Sequence, residues 1–375
     1  MADLSVELPS CAGFAVDLGE IGACSASNVS RLLPAVSLPA GSTGLIATVA
    51  PSVEKFCSAV GGALNTEATA ISGLGTNLST AATQLGSTDG AIAAAISATS
   101  NGVGAGGAQS ADGGGFGVSR FGGLQLPSLP AVPDNVYTVR QTVESAIGLL
   151  SVYDERLSAA IGVQPTVDLL SPLVADWESL QAIGKRIGLL GINDYVTSEN
   201  LINGTKWLQG SWSGEAAQSF GVSSNKLGQT VGTRSLDLDA VSKIVEYGGY
   251  YIERLVYNQA ADLCGKVLQP MTFLGATFPL GAWAPHINNP INDTMKSEIT
   301  AALDALKTST TSRQEEIQTM VDKISSVLEY APGRSIPVFT SSEFDLPAKI
   351  AIDIGTRKFG YGDNMWWEDR VDSVF

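Results

Sequence analysis

Apolar residues recur every three or four positions along most of this chain, a spacing that predicts helices rather than strands. Between Pro51 and Leu85 the stripe runs Val53, Phe56 or Cys57, Val60, Leu64, Ile71, Leu74, Leu78, Ala81 and Leu85. Pro51 suits the first helical turn, where its missing N–H is not needed. The turn cluster Gly86-Ser87-Thr88-Asp89-Gly90 then predicts a separate short helix over residues 91–100. Small residues fill the flanks of this stretch and permit close helix contact. Helical spacing returns at Val139, Val143, Ile147, Leu150 and Tyr153, and again at Leu169, Leu173, Trp177, Leu180 and Ile183.

The next pattern is the longest. Leu201, Thr205 and Leu208 are followed by Ala217, Phe220, Ser224, Leu227 and Val231. The pattern extends past residues 232–237, where the helix either breaks or continues, through Val241, Ile244, Ile252, Leu255, Leu263 and Val267. Unbroken, residues 215–268 would make a rod of roughly 80 Å at about 1.5 Å per residue. A last stripe runs through Met295, Ile299, Leu303, Leu306, Ile317, Val321, Ile324 and Leu328, capped by Asn292 or Asp293 and stopped by Pro332-Gly333. Polar residues 308–312 interrupt its apolar face, so a bent or split helix is expected there.

The remaining segments lack a sustained period. Residues 1–42 are expected to form an irregular arm, and residues 269–290 a Pro/Gly-containing loop with Trp283 and His286. Residues 101–117 are glycine-rich, and a proline-bearing stretch follows through Pro133. Such a composition cannot bury enough apolar surface to offset its ordering entropy, which predicts a flexible connector. Residues 336–340 and 350–354 are β-like runs, marginal as an isolated pair. The expected fold is mostly α: an elongated antiparallel bundle built from helical hairpins, with a Gly-rich linker and irregular terminal segments. The divisions are 1–42, an Ala/Ser-rich helical segment 43–100, a linker 101–134, a helical bundle 135–331 and an acidic aromatic tail 332–375.

Where two stripes meet, the chain reads Gln209-Gly210-Ser211-Trp212-Ser213-Gly214-Glu215-Ala216-Ala217-Gln218-Ser219-Phe220. Gly210 can supply a left-handed C′ residue, Ser213 an N-cap, and Glu215 a carboxylate in the first turn, where the helix dipole favours it. Trp212 would fold over the open end of an antiparallel hairpin, and Gly214 would let the backbones approach. This Trp-x-Gly turn, with its Ala-Ala-x-x-Phe continuation, resembles the hairpin of type VII (ESX) secretion substrates from actinobacteria. Ala175-Asp176-Trp177-Glu178-x-Leu180-x-x-Ile183-Gly184 resembles the first helix of such modules, and the larger layout is similar to EspB-like and PE/PPE-like proteins. Residues 43–100 are the PE-like portion.

The resemblance implies a composite export signal carried by Trp212 and Gly214 and read by the secretion ATPase or a chaperone. The companion Tyr-x-x-x-Asp/Glu pattern departs from expectation. Tyr195-x-x-x-Glu199 precedes the turn, and Tyr257 and Asp262 are five apart, which rotates them off a shared face. A partner chain could supply the tyrosine, and a helical-hairpin partner or a homo-oligomer is the expected association.

Charge changes the list of partners. With 37 acidic against 22 basic residues and a formal charge of −15, the chain lacks the cations that neutralise a phosphate backbone, which argues against nucleic acid. There is no run long and apolar enough for a transmembrane segment. The Met-Ala-Asp-Leu-Ser-Val-Glu start lacks the basic and apolar regions of a classical signal peptide, so export would be leaderless.

Candidate chemistry is sparse. Cys11, Cys24, Cys57 and Cys264 show no metal-binding spacing, so no metal or cofactor is expected. Cys11 and Cys24 could pair if exported, whereas Cys57 and Cys264 fit buried helical positions. His286 has no nucleophile or motif serine beside it and is expected to be exposed. Asp154-Glu155 and Glu315-Glu316 are expected on solvated helix faces. Trp366 and Trp367 are candidates for a partner contact or for packing on the chain's own helices.

These features lead to an expected non-enzymatic helical protein, exported by a type VII system to the envelope or beyond, as an oligomer or with a partner. The alternatives are the delivery module of a secreted toxin, with its effector in the last forty residues, and a cytosolic helical scaffold.

Overall fold

The computed structural model describes residues 5–100, 119–124, 129–133, 138–290, 292–335, 338–350, 358–361 and 364–367, with backbone alone for 89, 91–100, 358–361 and 364–367. The fold is mostly helical. Its elements are α1 (Leu8–Leu32), α2 (Ala50–Ser100), α3 (Thr138–Leu150), α4 (Asp154–Ile161), α5 (Ser179–Gln209), α6 (Glu215–Val267), β1 (Pro270–Phe273), β2 (Ala276–Pro279), α7 (Leu280–Trp283), α8 (Asp293–Leu328), β3 (Lys358–Tyr361) and β4 (Asn364–Trp367). The chain divides into two compact units, one of Met1–Leu33, Val60–Pro130 and Leu189–Leu238, the other of Pro34–Ala59, Ala131–Gly188 and Asp239–Phe375.

In the first unit, parts of α1, α2, α5 and α6 pack in antiparallel pairs. Most of the irregular arm expected at 1–42 is instead the 25-residue helix α1, residues 1–4 lying outside the described residues. Cys11, Phe14, Leu18, Ile21, Val29 and Leu32 supply its buried stripe, and Pro9 lies in the first turn, where it costs no hydrogen bond. Of its glycines, Gly22 faces α2, whereas Gly19 has open space beside it. A Cβ on Gly22 would meet Ser72 Oγ at 3.0 Å, and one on Gly75 of α2 would meet the Ala15 carbonyl at 3.0 Å.

Helix α2 continues through the expected turn at 86–90 to Ser100. Ser87 and Thr88 donate to the Gln84 carbonyl at 2.8 and 2.9 Å, so their hydroxyls are satisfied within the helix. Thr66, Thr69, Thr76, Thr80 and Thr83 bond back in the same way. The stripe from Val53 to Leu78 is buried at Phe56 and half-buried at Cys57 and Leu74.

The linker expected at 101–134 falls largely outside the described residues, but its residues 119–124 form a fixed strap on the first unit. Ser119 N–H donates to the Pro9 carbonyl at 3.1 Å, and Phe121 N–H to Asp17 Oδ2 at 2.9 Å. Leu124 exchanges hydrogen bonds with the Asn200 side chain at 2.8 and 2.7 Å. Arg120 pairs with Asp17 at 2.5 Å and with Glu20 at 2.6 Å.

In the second unit, α6 lies antiparallel to both α5 and α8. A Cβ on Gly184 would meet backbone N of Glu246 at 2.5 Å, so glycine is needed where α5 crosses α6. The polar middle of α8 does not split it. Thr310 bonds back to Leu306, Ser309 donates to Asp262, and Arg313 donates to Gln259 at 2.8 Å, so α6 presents matching polar groups. Asn292 caps α8, accepting from Met295 N at 2.8 Å. All eight apolar positions predicted for its stripe, from Met295 to Leu328, are buried.

Three further expectations are corrected in this unit. Residues 165–173 form two short helical turns, opened by Pro165 and Pro172, and 174–178 are irregular, so α5 begins only at Ser179, although Leu169, Leu173 and Trp177 are buried as expected. The loop expected at 269–290 contains the β1–β2 hairpin, turned by Leu274 (φ 53°) and Gly275 (φ 78°), with a Thr272–Thr277 hydroxyl bond of 2.7 Å between strands. His286 is half-buried against Trp283, their ring centroids 5.3 Å apart. Strands β3 and β4 pair antiparallel later than the predicted β-like runs. Residues 338–340 and 350 are irregular, while 336–337 and 351–354 lie outside the described residues.

Among the described residues no helix is long and apolar enough to cross a membrane. None of their His, Cys, Asp and Glu side chains cluster in threes as metal ligands would.

Candidate functional site at the Trp-x-Gly turn

Of the two courses left open at residues 232–237, the helix takes the unbroken one, and α6 runs from Glu215 to Val267. The turn that joins it to α5 is tight. Gly210 N–H donates to the Trp207 carbonyl at 3.1 Å and Ser211 N–H to that of Leu208 at 2.9 Å, so α5 ends in a narrowed turn. Gly210 is not left-handed. The positive dihedral falls on Gly214, with φ 105°, a region that only glycine enters freely. The Gly214 carbonyl accepts from Gln218 N–H at 3.0 Å, which makes Gly214, rather than Ser213, the residue that opens α6. Replacing Gly214 with alanine should destabilise the first unit by about 1–3 kcal/mol. A urea midpoint unchanged from the parent chain would show that the turn relaxes without strain.

Trp212 is 7 % exposed and its ring lies 5.8 Å from that of Phe220. It belongs to an apolar cluster with Cys11, Phe14, Ala82, Leu208 and Ala217. Phe14 is the hub, edge-on to Phe121 at 6.2 Å and close to Trp207 and Phe220, both at 6.3 Å. A Cβ on Gly204 would collide with the Phe14 ring, so the cluster depends on that glycine.

One element was not visible in the sequence pattern. Ser5–Glu7 runs antiparallel to residues 211–213, with Val6 opposite Trp212. Glu7 N–H donates to the Ser211 carbonyl at 2.8 Å, Ser213 N–H to that of Ser5 at 2.8 Å, and Ser5 N–H to Ser213 Oγ at 3.0 Å. Three residues with one valine give no period to detect.

The other predicted residues lie apart from this turn. Cys11 and Cys24 do not pair: both are free thiols on α1, one buried and one exposed. Thirteen helical residues separate them by about 20 Å, against a Cα spacing of about 7 Å at most for a disulfide. Cys264 is buried, as predicted, with its thiol pushed up to about 11 by desolvation. Half-buried Cys57 donates to the Val36 carbonyl at 3.2 Å. Tyr195 is exposed on α5 and Glu199 accepts from Asn203. Tyr257 is fully buried in the second unit, where Asp262 pairs with Lys266 and Arg313.

Asp154 is not a solvated face residue. It accepts from Thr166 N–H at 3.0 Å and from its hydroxyl, whereas Glu155 is exposed. Glu316 accepts from the Tyr251 hydroxyl. Trp366 and Trp367 sit in β4, and their side chains lie outside the described residues.

Two buried ionic arrangements also escaped sequence reading. In the first unit Arg234, 3 % exposed, makes a two-pronged pair with Asp194 at 2.7 and 3.1 Å and a further pair with Glu67. Burial pushes the Asp194 carboxyl up to about 6 against the pull of the guanidinium. In the second unit Glu178, 1 % exposed, accepts from Thr138 N–H at 2.9 Å and Val139 N–H at 3.0 Å, which caps α3. Burial raises its carboxyl to about 7 despite those bonds. The Trp177 beside it is fully buried, its indole N–H held by the Leu173 carbonyl at 2.9 Å.

Comparison with protein-family models, curated proteins and solved structures finds no match to this chain.

Proposed function

We propose that this chain is a non-enzymatic helical substrate of a type VII secretion system, with the Trp212-x-Gly214 turn as part of its export signal. The single observation supporting this reading is the position of Trp212, at the junction of two antiparallel helices whose reversal depends on Gly214. A turn of this kind presents a fixed local shape, independent of the long surfaces on either side, which suits recognition by a secretion ATPase or chaperone. The chain then acts at the envelope or outside the cell, as an oligomer or with a helical-hairpin partner. Trp366 and Trp367 are proposed as a contact for that partner.

The test is secretion from the native host. The Trp212→Ala chain should remain in the cells with its helical circular dichroism intact and be lost from the culture supernatant. Its appearance outside at the parent level would overturn the reading.

A further inference from the structure

The Trp-x-Gly turn is covered, and its cover differs from the rest of the core. Ser5 and Glu7 are exposed and Val6 only half-buried, whereas Phe14, Leu18 and Leu208 behind them are sealed. Two backbone hydrogen bonds and one to a serine hydroxyl hold this strand against residues 211–213. Val6 packs on the same cluster that contains Trp212. An arrangement of short backbone pairing plus one apolar side chain per slot is the geometry by which proteins accept an extended peptide at a strand edge.

We infer that the turn is a strand-binding site, filled in cis by Ser5–Glu7, and that its partner inserts an extended segment with a branched apolar residue at the Val6 position. The Ser211 carbonyl and Ser213 N–H serve either strand in turn. The cis strand therefore regulates access: while it is seated, a reader meets residues 5–7 and not the indole. This rests on the proposed export role for its biological meaning, but not for its physical content.

The site can be tested on the purified chain labelled with 5-fluorotryptophan, the Trp212 resonance being assigned from Trp212→Phe. The fluorine shift between H2O and D2O reports solvent access. In the full chain Trp212 should be shielded. In a chain lacking residues 1–7, and in full-length Val6→Asp, it should become exposed, and a synthetic peptide of residues 2–9 should shield it again. The full chain should bind that peptide at least about tenfold more weakly than the shortened one, as expected when the free slot is populated no more than about one-tenth of the time.

Hydrogen exchange on the unaltered chain gives a second readout. The Glu7 and Ser213 amides should exchange well before those of α5 and α6. Persistent shielding of Trp212 without the strand, absence of peptide binding, or exchange of these amides together with the helices would overturn the inference. So would unfolding of the shortened chain, since residues 5–7 would then be core and not cover. The two proposals fail separately: normal export of Trp212→Ala removes the secretion reading alone, and failed peptide binding removes the strand site alone.

Discussion

Replacing Arg234 with methionine should cost the first unit about 3–5 kcal/mol. The cost arises less from the lost attraction than from what is left behind. Asp194 is 1 % exposed on its side chain and Glu67 is 13 % exposed, so both carboxylates would remain in a desolvated site without their cation. Arg234 Nη1 is itself buried without a hydrogen-bond partner among the described residues, so the cluster is not fully satisfied even when intact.

A second variant separates these effects. Arg234→Met combined with Asp194→Leu and Glu67→Gln removes the ions together and should recover most of the loss, as apolar replacement of a buried ion cluster commonly does. Urea denaturation followed by circular dichroism measures both. A loss below about 1 kcal/mol for the single substitution would place the guanidinium in effectively aqueous surroundings.

The second large effect is a pH dependence set by Glu178. Its carboxyl is raised to about 7 in the folded chain, above its ordinary value of 4.5. The folded state therefore holds this proton more tightly than the unfolded state does. The stability it contributes is full below pH 4.5 and is lost as pH rises through 7. The shift corresponds to roughly 3 kcal/mol.

Asp194, raised from 3.8 to about 6, acts in the same direction over a lower window. The melting temperature should accordingly fall between pH 5 and pH 8. In Glu178→Gln, whose amide oxygen can still accept from Thr138 and Val139 N–H, most of that fall should vanish. A flat profile in the parent chain would mean that Glu178 is ionised throughout.

Sequence pattern revealed the long helices and the place where α5 meets α6, because both follow from the spacing of apolar residues. It failed where small residues or proline masked that spacing. α1 contains Pro9, Gly13, Gly19 and Gly22, which suggest irregularity when read singly, yet Gly22 is small because α2 passes close to it. The same error, reversed, put a break at residues 86–90, where hydroxyls bonding to their own helix replace those that would end it.

The buried ions were missed for another reason: Glu67, Asp194 and Arg234 come from three helices, and no local window contains them. One signal was available. Arg234 sits between Val231 and Leu238 on the apolar stripe of α6, and a charge in such a place requires a partner. At the turn itself, the sequence located Trp212 and Gly214 but assigned the left-handed residue to Gly210. Nothing in the pattern pointed to Ser5–Glu7, whose pairing depends on a fold already formed.

The threonine row on α2 has a consequence for how the molecule meets its surroundings. Residues 68–88 contain no Asp, Glu, Lys or Arg, and the outer side of this stretch carries hydroxyls already bonded to backbone carbonyls. Dissolved ions have little hold on such a neutral face. Brine and fresh water should leave this length of helix equally wound, while the cations and anions that decide stability stay sealed within.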